Sequence, residues 1–127
     1  MVLCLVDDLI FSIKISTAAK ALAVPVFFER SPDMALARIR EKEPSLVILD
    51  LNSAKLRPLE IIVQMKADPA LKNVRTLGYV SHVHTDVISA ARAAGIDEVL
   101  ARSAFSERLG QILSSSSTTP AGSDQSG

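Results

Sequence analysis

Five short apolar runs constrain this chain more than anything else in it: "VLCLV" (2–6), "VPVFF" (24–28), "LVIL" (46–49), "TLGYV" (76–80) and "EVLA" (98–101). Each has the length of a strand and is too short for a helix. Most are apolar throughout instead of alternating. A strand can be apolar at successive positions only if both of its faces are covered, which is the condition of a parallel sheet between layers of helices.

Helical periodicity fills the gaps. Phe11, Ile15, Ala18 and Leu22 share one face, and Ala35 and Ile39 do so between Pro32 and Pro44. Pro58 suits the first turn of a helix, where its missing N–H is not needed, and Leu59, Ile62 and Val63 then give that helix an inward side. Val87, Ala91 and Ala94 precede Gly95, a residue type that commonly ends helices. Phe105, Leu109, Ile112 and Leu113 form a last stripe. Such segments, about ten to fifteen residues long, suit crossovers and not hairpins. The fold class is therefore α/β: (βα)5, a doubly wound five-stranded parallel sheet, for which the flavodoxin-like strand order 2-1-3-4-5 is the usual solution. The units share no motif, so this is a fold pattern and not a repeat array. Gly78, inside the fourth run, predicts a close approach of neighbouring atoms.

Composition narrows the function classes. The chain has 127 residues, enough for one domain with a core that needs no disulfide or metal staple. Lys plus Arg and Asp plus Glu number 14 each, and the bases are scattered, with nothing denser than Arg38-Ile39-Arg40. This argues against a nucleic-acid surface and against membrane attraction. No apolar stretch approaches the ~20 residues of a membrane span, and the N-terminus lacks the basic leader of a signal peptide. The lone Cys4 sits mid-strand with no positive neighbour and reads as inert packing in a reducing compartment. A cytoplasmic protein is expected. Residues 114–127, "SSSSTTPAGSDQSG", offer no large apolar side chain and are expected to be a disordered tail after a domain spanning 1–113. The tail reads as a frayed end or as a linker.

Acids mark the strand ends. In a 2-1-3-4-5 sheet the topological switch lies between strands one and three, and ligands bind at the carboxyl ends there. Strand one ends in Asp7 and Asp8, strand three in Asp50. Each acid could simply cap a helix or a turn. Acids at both switch-point strands favour a divalent cation, and Mg2+ takes one or two carboxylates, a carbonyl and waters. Strand four adds the Ser81 hydroxyl and strand five the cation Arg102. An acidic metal pocket flanked by a hydroxyl and a cation suits a phosphoryl group, with Asp50 as the nucleophile.

With these residues in place, the sequence resembles the receiver domains of two-component response regulators over residues 2–113. The resemblance rests on "LVDD" (5–8), "LVILDLN" (46–52), "YVSH" (79–82), "AARAAGIDEVLARSAF" (90–105) and their spacing. It implies that Asp50 is the phosphoacceptor, Asp8 a direct Mg2+ ligand, Asp7 a supporting acid and Asn52 the source of a backbone carbonyl for the metal. Ser81 falls at the switch Ser/Thr and Arg102 at the Lys that pairs with the phosphoryl group. It further implies a stand-alone receiver that phosphorylates itself from a sensor histidine kinase or phosphotransfer protein and acts on a downstream protein through its fourth helix, fifth strand and fifth helix. No separate catalytic domain is implied, and a homodimer is left open.

Three departures stand out. Arg102-Ser103 replaces Lys-Pro, so a trans bond and a differently shaped loop are expected, because a cis bond before a non-proline costs ~2.5–4 kcal/mol. Val99 stands at the switching aromatic and cannot swing as one. The loop "LNSAKLRPLE" (51–60) lacks the family's Met-Pro, and Pro58 stands where a Gly is expected. A phosphate-independent pseudo-receiver acting as an interaction module is accordingly the alternative. A hydrolase using Asp50 is weaker, because Asn52 stands where such enzymes often carry a second Asp. "HVH" (82–84) reads as two solvated histidines, not a metal site. Without a glycine after strand one, neither a phosphate loop nor a dinucleotide fingerprint can form there.

Overall fold

The computed structural model describes residues 1–81 and 85–116. The two histidines of "HVH" and residues 117–127 of the expected tail lie outside the described residues. Five parallel strands, β1 (Val2–Leu5), β2 (Val26–Phe28), β3 (Leu46–Asp50), β4 (Arg75–Val80) and β5 (Glu98–Ala101), form one sheet in the order β2-β1-β3-β4-β5. The helices are α1 (Leu9–Ala21), α2 (Pro32–Lys42), α3 (Pro58–Ala67), α4 (Thr85–Ala94) and α5 (Arg102–Ser116). The expected doubly wound α/β architecture and strand order are both present.

The unbroken apolar runs have the cause the sequence suggests. Residues Val2, Cys4, Ile48 and Leu77 face α1 and α5 and meet Phe11, Ile15, Phe105 and Leu113. Their alternates Leu3, Leu5, Val47 and Leu49 face the other side, with Ala35, Ile39, Ile62, Met65 and Ala91. β1 and β3 are buried along their whole length, while the edge strands β2 and β5 are only half-buried. Each fully buried Leu, Ile or Phe contributes roughly 1.5–3 kcal/mol relative to exposure, so the central strands anchor the domain. Gly78 makes room for this packing: a Cβ there would lie 2.6 Å from Leu51 Cδ1 and 2.8 Å from Ile96 Cδ1, so those side chains would have to shift.

Four details differ from the sequence reading. Val63 is 52% exposed, and α3 instead buries Pro58, Ile61, Ile62 and Met65. Ile61 and Met65 lie four apart on the stripe that Ile62 shares, and Val63 falls outside it. Leu22 is the C-cap of α1 and is exposed. β2 begins at Val26, after Pro25, which has no N–H to give a ladder and serves only as an acceptor for Val2 N. Finally, α5 runs through Ser116, three residues past the expected boundary at 113. The Ser116 hydroxyl donates to the Leu113 carbonyl at 2.8 Å, and the Ser116 carbonyl accepts from the Ser45 hydroxyl at 2.6 Å. Hydrogen bonds to the helix's own backbone and to the α2–β3 loop substitute for the apolar contacts that the serines lack.

Candidate functional site

The carboxyl ends of β1, β3 and β4 bring Asp8, Asp50, Asn52 and Ser81 to one edge of the sheet. Asp8 follows β1 and caps α1, its Oδ1 accepting from Ile10 N at 2.8 Å and Phe11 N at 3.2 Å. Asp50 closes β3 and holds the turn that follows, its Oδ1 accepting from Asn52 N at 3.0 Å. The capping roles open to both acids are therefore filled. They do not account for the charge of Asp8 acting on Asp50. Asp50 is only 4% exposed. Burial lifts its carboxyl above the ordinary carboxylate range, the two Asn52 donors pull it back, and the nearby negative charge of Asp8 pushes it up again. A like charge within reach of a buried carboxylate favours a cation at the same place.

The sequence reading expects three carboxylates, Asp7, Asp8 and Asp50, at this edge of the sheet. Among the described residues no three acid, imidazole or thiol side chains form a metal cluster. Asp7 makes no hydrogen bond or ion pair among these residues. Asp8 and Asp50 are the two acids coupled by charge, and the Asn52 backbone follows Asp50 directly. Two carboxylates and a carbonyl are a donor set that suits Mg2+ with waters completing its shell.

Asn52 does more than the sequence suggests. Its side-chain Nδ2 donates to Asp50 Oδ1 at 3.1 Å, and its Oδ1 accepts both Ser81 N and Ser81 Oγ at 2.8 Å. One amide thus ties the end of β3 to the end of β4. Nothing in sequence spacing reveals this bridge. A short polar side chain two residues beyond the strand-three acid is the only hint.

Arg102 is the first residue of α5, immediately after β5. The expected trans bond before Ser103 is present, as no peptide bond among the described residues is cis, and no loop intervenes between strand and helix. The Arg102 guanidinium sits over the Phe11 ring, 5.2 Å from its centroid, and forms no ion pair with Asp50. Together with Lys14 and Ser81 it lines an open cleft of about 570 Å³. Lys14 Nζ donates to Ser106 Oγ across this cleft at 3.0 Å. Val99 is half-buried on β5 and packs among the side chains of the α2, α3 and α4 face.

Tyr79 was not singled out by sequence. It pairs in register with Asp50, and its buried hydroxyl has no hydrogen-bond partner among the described residues. Burial, then the charges of Asp50 and Asp8, push the phenol well above its ordinary range. Burial also pushes the Cys4 thiol up to about 12, so it stays protonated at neutral pH and is no nucleophile.

Neither a protein-family model nor a curated protein matches the sequence. Solved structures do match. A response regulator from Hahella chejuensis superposes with a TM-score of 0.79 at 20% identity, over 89% of this chain and 91% of that one. The phosphorylated cyanobacterial phytochrome response regulator RcpA does so with a TM-score of 0.75 at 23% identity, over 93% and 95%. The Mn2+-bound form of response regulator Rcp1 gives 0.71 at 20% identity, over 87% and 89%. At such identities the likeness speaks to the path of the backbone and not to the chemistry at its loops. The five parallel strands, their order and their five helices therefore give this chain the fold of a response-regulator receiver domain.

Proposed function

We propose that the chain works as a receiver in phosphorelay signalling, taking a phosphoryl group onto Asp50 with Mg2+ and acting through protein contacts. The observation that carries this reading is a buried Asp50 that feels the charge of Asp8 at the switch-point edge of a receiver fold. One Asp50 oxygen attacks phosphorus as the P–N bond of a histidine phosphate breaks. The imidazole keeps that electron pair and takes its proton from water, and an acyl phosphate remains. Asp8, Asp50 and the Asn52 carbonyl would hold the Mg2+, which would neutralise charge on the acids and the phosphoryl oxygens. Asp7 supports them from the end of β1. Ser81 then supplies a hydroxyl to a phosphoryl oxygen, and Arg102 supplies positive charge once it leaves the Phe11 ring.

The donor is a sensor histidine kinase or phosphotransfer protein. Leu9, Ile10 and Ile13 are exposed on α1, next to the cleft lined by Ile10 and Arg102. An apolar patch of this kind suits a protein partner. The output is a change in binding to a downstream protein through α4, β5 and α5, with the chain itself turning over no substrate. No described helix is long and apolar enough to cross a membrane, and the lone buried thiol suits the cytoplasm.

Two observations favour a second reading, a phosphate-independent interaction module: Asp50 is nearly closed off from solvent, and Arg102 is engaged with Phe11. Incubation with phosphoramidate and Mg2+, followed by intact mass measurement, separates the two. A single phosphoryl adduct that is lost in Asp50→Asn is the expected result. No adduct, together with no spectral response to beryllofluoride, overturns the receiver reading in favour of the second.

A further inference from the structure

Tyr79 is the one tyrosine of the chain, which has no tryptophan. Its ring is held on two sides, with centroids 4.9 Å from Phe11 and 4.8 Å from Phe105, and the residue is 1% exposed. A phenylalanine would fill this space equally well. The hydroxyl is therefore unexplained by packing, and it is buried without a partner among the described residues, a state that native structures rarely keep. Tyr79 and Asp50 are register partners on adjacent strands, so their side chains leave the sheet on the same face. The hydroxyl accordingly lies close enough to the Asp50 carboxylate to interact with it, while falling outside hydrogen-bonding geometry. Both Asn52 donors go to Asp50 Oδ1, which leaves Oδ2 without a donor among the described residues. A donor lacking an acceptor stands next to an acceptor lacking a donor.

We propose that Tyr79 is a positioning residue for Asp50: when the site is loaded, its hydroxyl donates to the Asp50 carboxyl group and fixes the orientation from which one oxygen attacks. This rests on the phosphoacceptor reading above. The attacking oxygen forms the O–P bond while the donor's P–N bond breaks, with the electron pair leaving on nitrogen and water supplying its proton. The other oxygen becomes the acyl carbonyl. The phenolic proton stays on Tyr79 throughout. Because a hydroxyl left unpaired in the core is a cost to folding, the resting state gives up stability that the loaded state recovers.

The test compares the full chain with Tyr79→Phe. Both are treated with phosphoramidate and Mg2+ and followed by intact mass, with melting temperature recorded for each. Tyrosine fluorescence of the wild type is followed during a beryllofluoride titration with Mg2+. The expected result is a Tyr79→Phe chain that melts no lower than wild type yet gains its adduct about tenfold more slowly, the size of one hydrogen bond to a charged group. Saturable change in the Tyr79 fluorescence accompanies loading of the wild type. Equal adduct rates in the two chains, or fluorescence that stays constant while the wild type takes up the ligand, overturns the role of Tyr79 and leaves the phosphoacceptor reading intact. A wild-type chain that takes neither phosphoryl group nor beryllofluoride overturns both.

Discussion

Asn52 grips Ser81 across 29 positions of sequence with a single oxygen, which accepts the Ser81 backbone N–H and the Ser81 hydroxyl at 2.8 Å each. The other half of the same amide donates to Asp50. The acid of β3 and the hydroxyl of β4 are therefore not independent: a change at one is felt at the other through one rigid planar group.

Asn52→Ala cuts both ties. It is expected to cost about 1 kcal/mol in urea unfolding, as the bonds are partly exposed, and to free the Ser81 hydroxyl. Asn52→Asp removes the donor to Asp50 and adds a third acid to the pair. It is expected to melt lower than wild type without divalent ions and to bind Mg2+ several-fold more tightly, since added carboxylates raise affinity for hard cations. Calorimetric titration with Mg2+ checks the second point, and unchanged affinity would place position 52 away from the metal.

Asp50 gives a pH signature. Burial, chiefly, holds its carboxyl above the ordinary range in the folded chain, so the folded state keeps a proton that the unfolded state has already released. Between those two values the folded state binds more protons, and stability falls as pH rises. Asp50→Asn keeps an acceptor for Asn52 and removes the charge. It is expected to melt a few degrees higher at neutral pH, the response of a domain this size to about 1 kcal/mol. The gap should close as pH drops below the usual carboxylate range. Melting curves across a pH series decide this, and a gap independent of pH would remove Asp50 as its source.

Asp8 does two jobs that substitution can separate. Asp8→Ala loses both N-cap bonds to Ile10 and Phe11, at a cost of about 1 kcal/mol. Asp8→Asn keeps a capping oxygen and removes the repulsion on Asp50, so it should be at least as stable as wild type. Both variants should bind Mg2+ more weakly. Wild-type Mg2+ affinity in Asp8→Asn would reduce Asp8 to a helix cap.

Gly78→Ala tests the packing under the site. The new methyl would meet Leu51 and Ile96 at 2.6 and 2.8 Å. Both are buried and have little room to retreat, so a loss of about 1–3 kcal/mol is expected in chemical denaturation. Leu51 lies between Asp50 and Asn52, so the same change should also disturb the link to Ser81, read as an altered Ser81 amide resonance.

Sequence alone was enough for the sheet. Runs such as "LVIL" at 46–49 can be apolar at every position only when helices cover both faces, and that physical requirement sets the layers. The acids at 8 and 50 were legible for a similar reason: a charge directly after a buried run must stand at a strand end, and the switch point tells which ends are neighbours. Helix faces were less secure, as Val63 shows. In α3 a continuous run, Leu59 to Val63 interrupted only by Glu60, left several stripes open, and packing against the sheet chose the one through Ile61 and Met65. Only tertiary structure decided that Asn52 would reach Ser81, that Arg102 would rest on Phe11 and not on Asp50, and that Tyr79 would bury its hydroxyl beside that acid. Periodicity assigns a residue to a face. Which atoms then lie within hydrogen-bonding distance depends on register across strands distant in the chain and on ångström-scale packing, neither of which is written in any local run of residues.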